Sequence, residues 1–62
     1  MSAVSLDDQI ACVERELRFR KRVYANRVSK GQMTQQLATN EIAKMQAVLE
    51  TLRALAVSTR LL

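Results

Sequence analysis

Histidine, proline and tryptophan are absent from this chain of 62 residues, and glycine and cysteine occur once each. Without histidine, the side chain that most often performs acid–base chemistry near neutral pH is missing. The single cysteine, Cys12, cannot form an internal disulfide and has no histidine to activate it. Asp7 and Asp8 are adjacent, so on a helix their carboxylates diverge by about 100°. We therefore expect no catalytic residue, no metal site, no cofactor and no small-molecule substrate, and the chain is not expected to be an enzyme.

Long hydrophobic runs are also missing. No apolar stretch approaches the roughly 20 residues that a helix needs to cross a bilayer, and the first residues, MSAVSLDDQIAC, lack the basic start and apolar block of a secretory signal. A lone cysteine suits a reducing compartment. These features predict a soluble cytoplasmic protein without a membrane partner.

The residues that are abundant, mainly Ala, Leu, Glu, Gln and Arg, favour helices, and no alternating β pattern occurs. Ser5 followed by two carboxylates is typical of a helix start, and Gly31 is typical of a helix end. Thr34 can cap a second helix, whose far end carries no stop signal, so the tail can either add a helical turn or fray. The sequence predicts one all-α domain over residues 1–62, with helix 1 at about 6–29, a turn at 30–33, helix 2 at about 34–57 and a tail at 58–62.

Both predicted helices carry an apolar side. In helix 1 it consists of Leu6, Ile10, Val13, Leu17, Tyr24 and Val28; in helix 2 it is a broader arc of Leu37, Ala38, Ile42, Met45, Val48, Leu49, Leu52, Leu55 and Ala56. A short turn makes consecutive helices antiparallel neighbours, so the fold class is an antiparallel two-helix hairpin. Because so short a chain buries little area, we expect a homodimer that forms a four-helix bundle; a monomer bound to a larger partner is the alternative.

Two charged residues interrupt these apolar sides. Arg20 stands where helix 1 should be apolar, and Glu41 falls inside the arc of helix 2. Opposite charges at a core are tolerated when they meet, so the sequence predicts a buried polar pair of Arg20 and Glu41, with Tyr24 as a further partner of Glu41. The pair is interpreted as a device that fixes helix register at the core edge, in preference to a polar site at an oligomer interface.

The run ERELRFRKR, residues 14–22, is the main functional signal. Net charge is +4, and residues 12–30 hold seven basic side chains against two Glu. Helical spacing turns Phe19 away from Leu17, and the predicted partner-binding face consists of Arg15, Arg18, Phe19, Arg22 and Val23. Arg and aromatic side chains are enriched at protein hot spots, whereas the same composition can stack on bases and contact phosphates. A protein partner is favoured, with nucleic acid as the alternative and a merely solvated face as the third interpretation.

Part of the chain resembles a group of short, uncharacterised proteins encoded by bacteriophages and prophages of proteobacteria. The resemblance rests on the segments RKRVY at 20–24, GQMT at 31–34, EIAKM at 41–45 and LETLR at 49–53. It implies an accessory protein in the cytoplasm of a bacterial host cell. From the resemblance and the basic face together, we expect a small non-enzymatic protein that binds and modulates, for example inhibits, a host or phage protein.

Overall fold

A computed structural model describes residues 3–61 of the chain. It contains two helices, α1 at Leu6–Ser29 and α2 at Gln35–Leu61, which pack against each other. The molecule is a rod of 48 × 19 × 17 Å. The prediction of an all-α antiparallel hairpin is confirmed.

The start of α1 follows from its first residues. The Ser5 hydroxyl accepts a hydrogen bond of 3.1 Å from the backbone N–H of Asp8, which satisfies one of the free donors at the helix end. Asp7 and Asp8 lie in the first turn, where the helix dipole favours negative charge.

The end of α1 is a Schellman motif built around Gly31. The Gly31 N–H donates to the carbonyl of Val28 at 3.1 Å, and the Gln32 N–H donates to that of Arg27 at 2.8 Å. Gly31 has a φ of +73°, a left-handed conformation that side chains disfavour. The chain therefore reverses within a few residues.

Helix α2 begins with a cap and runs further than the sequence predicts. The Thr34 hydroxyl accepts a 3.1 Å hydrogen bond from the Leu37 N–H. At the other end, residues 58–61 continue the helix instead of forming the predicted tail, and Leu62 lies outside the described residues. Two contacts accompany this last turn: Thr59 donates to the Leu55 carbonyl at 2.8 Å, and Arg60 pairs with Asp7 of α1 at 2.6 Å.

The core is a narrow seam between the helices. Leu17 of α1 is buried, and on α2 the buried residues are Ala38, Leu49 and Ala56. Among the described residues, none of the large side chains is completely buried. Neither helix, over the part of the chain that the structure describes, combines the length and apolar character needed to cross a membrane.

The broad apolar arc predicted for α2 is wider than this seam. Leu37, Val48 and Leu55 belong to the arc, but each remains about half exposed. One neighbouring helix covers only a limited sector of α2, so the outer part of the arc stays open to solvent. Helix α1 therefore covers only part of the apolar arc of α2.

Candidate functional site

The seam divides the surface of the hairpin into two sides with different chemistry. At about 100° per residue, one side carries the charged residues of both helices that meet across the seam. Arg53 of α2 donates to Glu14 of α1 at 2.6 Å, and Arg60 donates to Asp7 at the same distance. We call this side the polar face; it carries Asp7, Glu14, Lys21, Gln46, Arg53 and Arg60.

The opposite side is apolar, and we call it the apolar face. It consists of Val13, Leu37, Met45, Val48, Leu52 and Leu55, and Glu41 lies among the α2 residues. The valine and leucine side chains at 37, 48 and 55 are 48%, 48% and 53% exposed. A groove between the helices on this side is lined in part by Val4, Cys12, Val13, Val48 and Leu52. Among the described residues, no ion pair joins the two helices across this face.

The sequence pattern alone did not separate these two sides, although the signal was present. Measured around the axis of α2 from the buried Leu49, Val48 lies at about 100°. Leu37 and Leu55 lie at about 120° from Leu49 in the same direction. Positions so far from the seam centre cannot pack on a single neighbour. The width of the arc on α2 therefore already indicated a second, uncovered apolar surface.

The predicted partner-binding residues lie on the outer side of α1, and we call them the basic face. Arg15, Phe19 and Arg22 follow one another at turn spacing, with Arg18 beside them. Phe19 is 52% exposed, and the guanidinium carbon of Arg22 lies 5.8 Å from the centre of its ring. This distance is within the range of a cation–π contact. Val23 is only partly exposed and lies next to Phe19 on the side away from Arg18.

The distribution of ion pairs concentrates unpaired positive charge on α1. Within residues 3–61, Glu14 pairs with Arg53 and Glu16 pairs with Arg20, so both acids of the basic run are already neutralised. The basic residues of that region without an acidic partner are Arg15, Arg18, Lys21, Arg22, Arg27 and Lys30. This region is therefore more positive than its sequence composition suggests.

The predicted buried pair of Arg20 and Glu41 is wrong. Arg20 pairs with Glu16 at 3.5 Å and Glu41 pairs with Lys44 at 3.5 Å, each on its own helix. The two side chains are 42% and 37% exposed, and no charged residue among those described is buried. An open helix edge lets a long side chain reach water, so neither charge needs a partner across the seam.

Tyr24 interacts with Arg20 instead of Glu41. Hydrogen bonding to Tyr24 is the main cause that raises the pKa of Arg20, with a smaller contribution from Glu16 and an opposing one from partial desolvation. The three predicted members of the polar pair therefore fall into two separate groups. One is Glu16, Arg20 and Tyr24 on α1, and the other is Glu41 and Lys44 on α2.

Reactive and metal-binding groups are sparse. Cys12 is a free, exposed thiol. Within residues 3–61, no group of three or more Cys, Asp or Glu side chains is placed to hold a metal ion. The surface features that remain are thus the basic face and the apolar face.

Comparison with known proteins adds no relative. No protein-family model, no curated protein and no solved structure matches this chain. The resemblance to phage-encoded proteins stays a prediction, as does the expected cytoplasmic location.

Proposed function

We propose that this chain is a non-enzymatic interaction protein that binds another protein through the basic face. The observation that carries the proposal is the half-exposed Phe19, with Arg22 over its ring. Arg15 and Arg18 lie beside it, and neither forms an ion pair within residues 3–61. An exposed aromatic side chain surrounded by arginines has the composition of an interface hot spot.

This geometry defines the chemistry of the partner. A pocket that accepts the Phe19 ring must be apolar, and its rim must carry Asp or Glu side chains to meet Arg15, Arg18 and Arg22. Such a partner is an acidic protein surface with a central apolar recess. A helix presenting its side chains at successive turns is a common way to fill a groove of this kind.

The proposal extends to the biological setting. The resemblance favours a phage or prophage accessory protein that binds a host or phage protein in the cytoplasm of a bacterial cell and changes, for example inhibits, its activity. Self-association of the hairpin into a homodimer is also part of the proposal.

Capture from nuclease-treated bacterial lysate tests the basic face. Phe19→Asp should abolish capture of a specific protein, and Arg15→Glu with Arg22→Glu should weaken it. The matched control is Arg27→Glu with Lys30→Glu, which changes net charge equally and alters unpaired bases of the same region. It should retain capture. Loss in the control as well as in the Arg15/Arg22 variant would show a response to overall charge and would contradict a localised protein site.

Nucleic acid is the alternative occupant of the same face, favoured by its unpaired positive charge. Binding to phosphates weakens steeply with salt and spreads across sequences, whereas a hot spot built on Phe19 persists at moderate salt. A gel shift of random DNA at physiological salt, lost in the Arg15/Arg22 variant, would replace the protein partner with nucleic acid.

A further inference from the structure

The exposed area of the hairpin is large for its mass. The chain exposes 4902 Å² at 7.0 kDa, whereas a compact monomer of that mass exposes about 4,000 Å². The excess of about 900 Å² is close to the roughly 800 Å² that each partner buries in a protein interface of standard size. The elongated shape of the hairpin, 48 × 19 × 17 Å, contributes to this excess, and the excess is large enough for one interface of standard size.

The apolar face is where this excess has the composition of an interface. Leu37, Val48 and Leu55 are half exposed there, next to Met45 and Leu52, which are partly buried in the seam. Helix α2 thus carries two overlapping apolar seams, one against α1 and one directed outward. A helix needs two such seams when it contacts two neighbours, as each helix of a four-helix bundle does.

We propose that the apolar face docks a second copy of this chain, with the two α2 helices antiparallel and crossing near Val48. The occupant is argued from charge. The charges at this face are two ion pairs, Glu16 with Arg20 and Glu41 with Lys44, and the carboxylate of Asp8, which lines the groove, so two copies approach with little net repulsion. The basic face would repel its own copy, since Arg15, Arg18 and Arg22 share one sign.

The same charges select the antiparallel arrangement. In a parallel pair, Glu41 would meet Glu41 of the second copy, and Lys44 would meet Lys44, which is unfavourable. With the symmetry axis at Val48, Glu41 lies level with Leu55 of the other copy, and its carboxylate can remain on Lys44. Val48 then packs against Val48 at the centre.

This inference rests on the homodimer named in the proposed function and is independent of the basic face. If the Phe19→Asp variant still captured its partner from lysate, the dimer inference would be unaffected. Conversely, a monomeric protein would remove the dimer and leave the basic face in place.

Two exposed valines of α2 provide a matched test. Val48 is 48% exposed and Val57 is 55% exposed. They are about nine residues apart, which puts them on opposite sides of the helix. In sedimentation at micromolar concentration, wild type and Val57→Glu should be dimers, and Val48→Glu should shift to monomer by at least tenfold in dissociation constant. Wild type that sediments only as monomer overturns the proposal. So does a dimer that Val57→Glu breaks and Val48→Glu does not.

Disulfide trapping covers the case in which Val48→Glu fails to fold. In a Cys12→Ser background, Val48→Cys should form an intermolecular disulfide on mild oxidation, because the two residues meet at the axis. Val57→Cys should not, since it lies on the opposite side. Leu55→Cys should not either, because in the antiparallel arrangement its copies are about 21 Å apart along the helix. Equal trapping at 55 and 48 overturns the antiparallel dimer, and trapping at 57 alone overturns the use of the apolar face.

Discussion

Arg53 of α2 donates a hydrogen bond of 2.6 Å to Glu14 of α1, and this pair joins the two helices on the polar face. Together with the pair of Arg60 and Asp7, it gives the hairpin one side held by charge. The apolar face, by contrast, has no such pair among the described residues. Stability and recognition are therefore expected to respond differently to substitutions on the two sides.

The Arg53–Glu14 pair should make a small, salt-sensitive contribution to stability. The side chains are 50% and 36% exposed, and exposed pairs contribute about 0.2–1 kcal/mol. A double-mutant cycle of Glu14→Gln and Arg53→Gln, measured by urea unfolding, should give a coupling energy in that range that falls at high salt. A cycle on Glu41 and Lys44 should give less, since Lys44 is 74% exposed. A coupling energy that does not change with salt would contradict this account.

Replacing Arg20 by Leu should stabilise the hairpin. Arg20 lies at the edge of the apolar seam, where a leucine would bury more apolar area, and its loss strands no buried charge because Glu16 is half exposed. We expect the thermal midpoint to rise by a few degrees, whereas Arg15→Leu, which lies on the outer side of α1 and is exposed, should give no gain. A lower midpoint for Arg20→Leu would show that Arg20 holds a structural contact beyond Glu16 and Tyr24.

The effect of Arg20→Leu should not depend on pH near neutrality. Hydrogen bonding to Tyr24 raises the pKa of Arg20, so whatever stability the charge contributes is fully present below its unfolded pKa. That stability is lost only as the pH rises through the higher folded pKa, far above the roughly pH 5 to 9 range in which most proteins are studied. Midpoints recorded across that range should keep a constant difference between wild type and variant.

Gly31→Ala should destabilise the turn by about 1 kcal/mol, because alanine disfavours the left-handed backbone at φ +73°. No atom lies within 4 Å of an added Cβ, so the loss is one of backbone conformation and not of packing. Gly31→Asn should lose less, since asparagine tolerates this conformation better. Equal losses measured by urea unfolding would point to a cause other than backbone conformation.

Phe19→Asp should leave the fold nearly intact. The ring is half exposed, and the contact with Arg22 contributes only about 0.5–1 kcal/mol at an exposed site. Leu17→Asp, two residues away and 5% exposed, should unfold the chain because it buries an unpaired charge. Circular dichroism and thermal melts separate the two. Unfolding by Phe19→Asp would place this ring in a dimer core and remove it from the basic face.

Cys12 should report dimer formation without any substitution. It lines the groove on the apolar side together with Val13 and Val48 and is exposed in the hairpin. We expect its rate of reaction with a thiol reagent to fall as protein concentration rises. In Val48→Glu the rate should be independent of concentration.

Much of the fold was predictable from local signals. The helix boundaries are set by local hydrogen bonds at Ser5, Thr34 and Gly31. Contacts between near neighbours in the chain can be predicted from the sequence. The sequence left the last turn of α2 open between an added turn and fraying, because no stop signal follows Val57 and the residue that Arg60 contacts, Asp7, lies on the other helix. A contact between residues far apart in the chain produces no periodic pattern in the sequence.

The candidate site was predicted less completely. The outward direction of Phe19 followed from its spacing to Leu17. The partners of Arg20 and Glu41 were not predicted. Each has an opposite charge within about one turn of its own helix, and it pairs with that nearer residue and not across the seam. The apolar face was missed because Leu37, Val48 and Leu55 were assigned to the same arc as the buried residues.

The shallow seam has a consequence for the lifetime of the protein in a cell. Leu17 and Leu49 are the large buried side chains among the described residues, and from so small a core we expect an isolated hairpin to open at a low free-energy cost. Proteases cleave chains in the opened state. A copy without a partner should be degraded quickly, and an assembled copy should persist. The amount of this protein in the cell would then follow the amount of the partner that covers its surface, without a dedicated degradation signal.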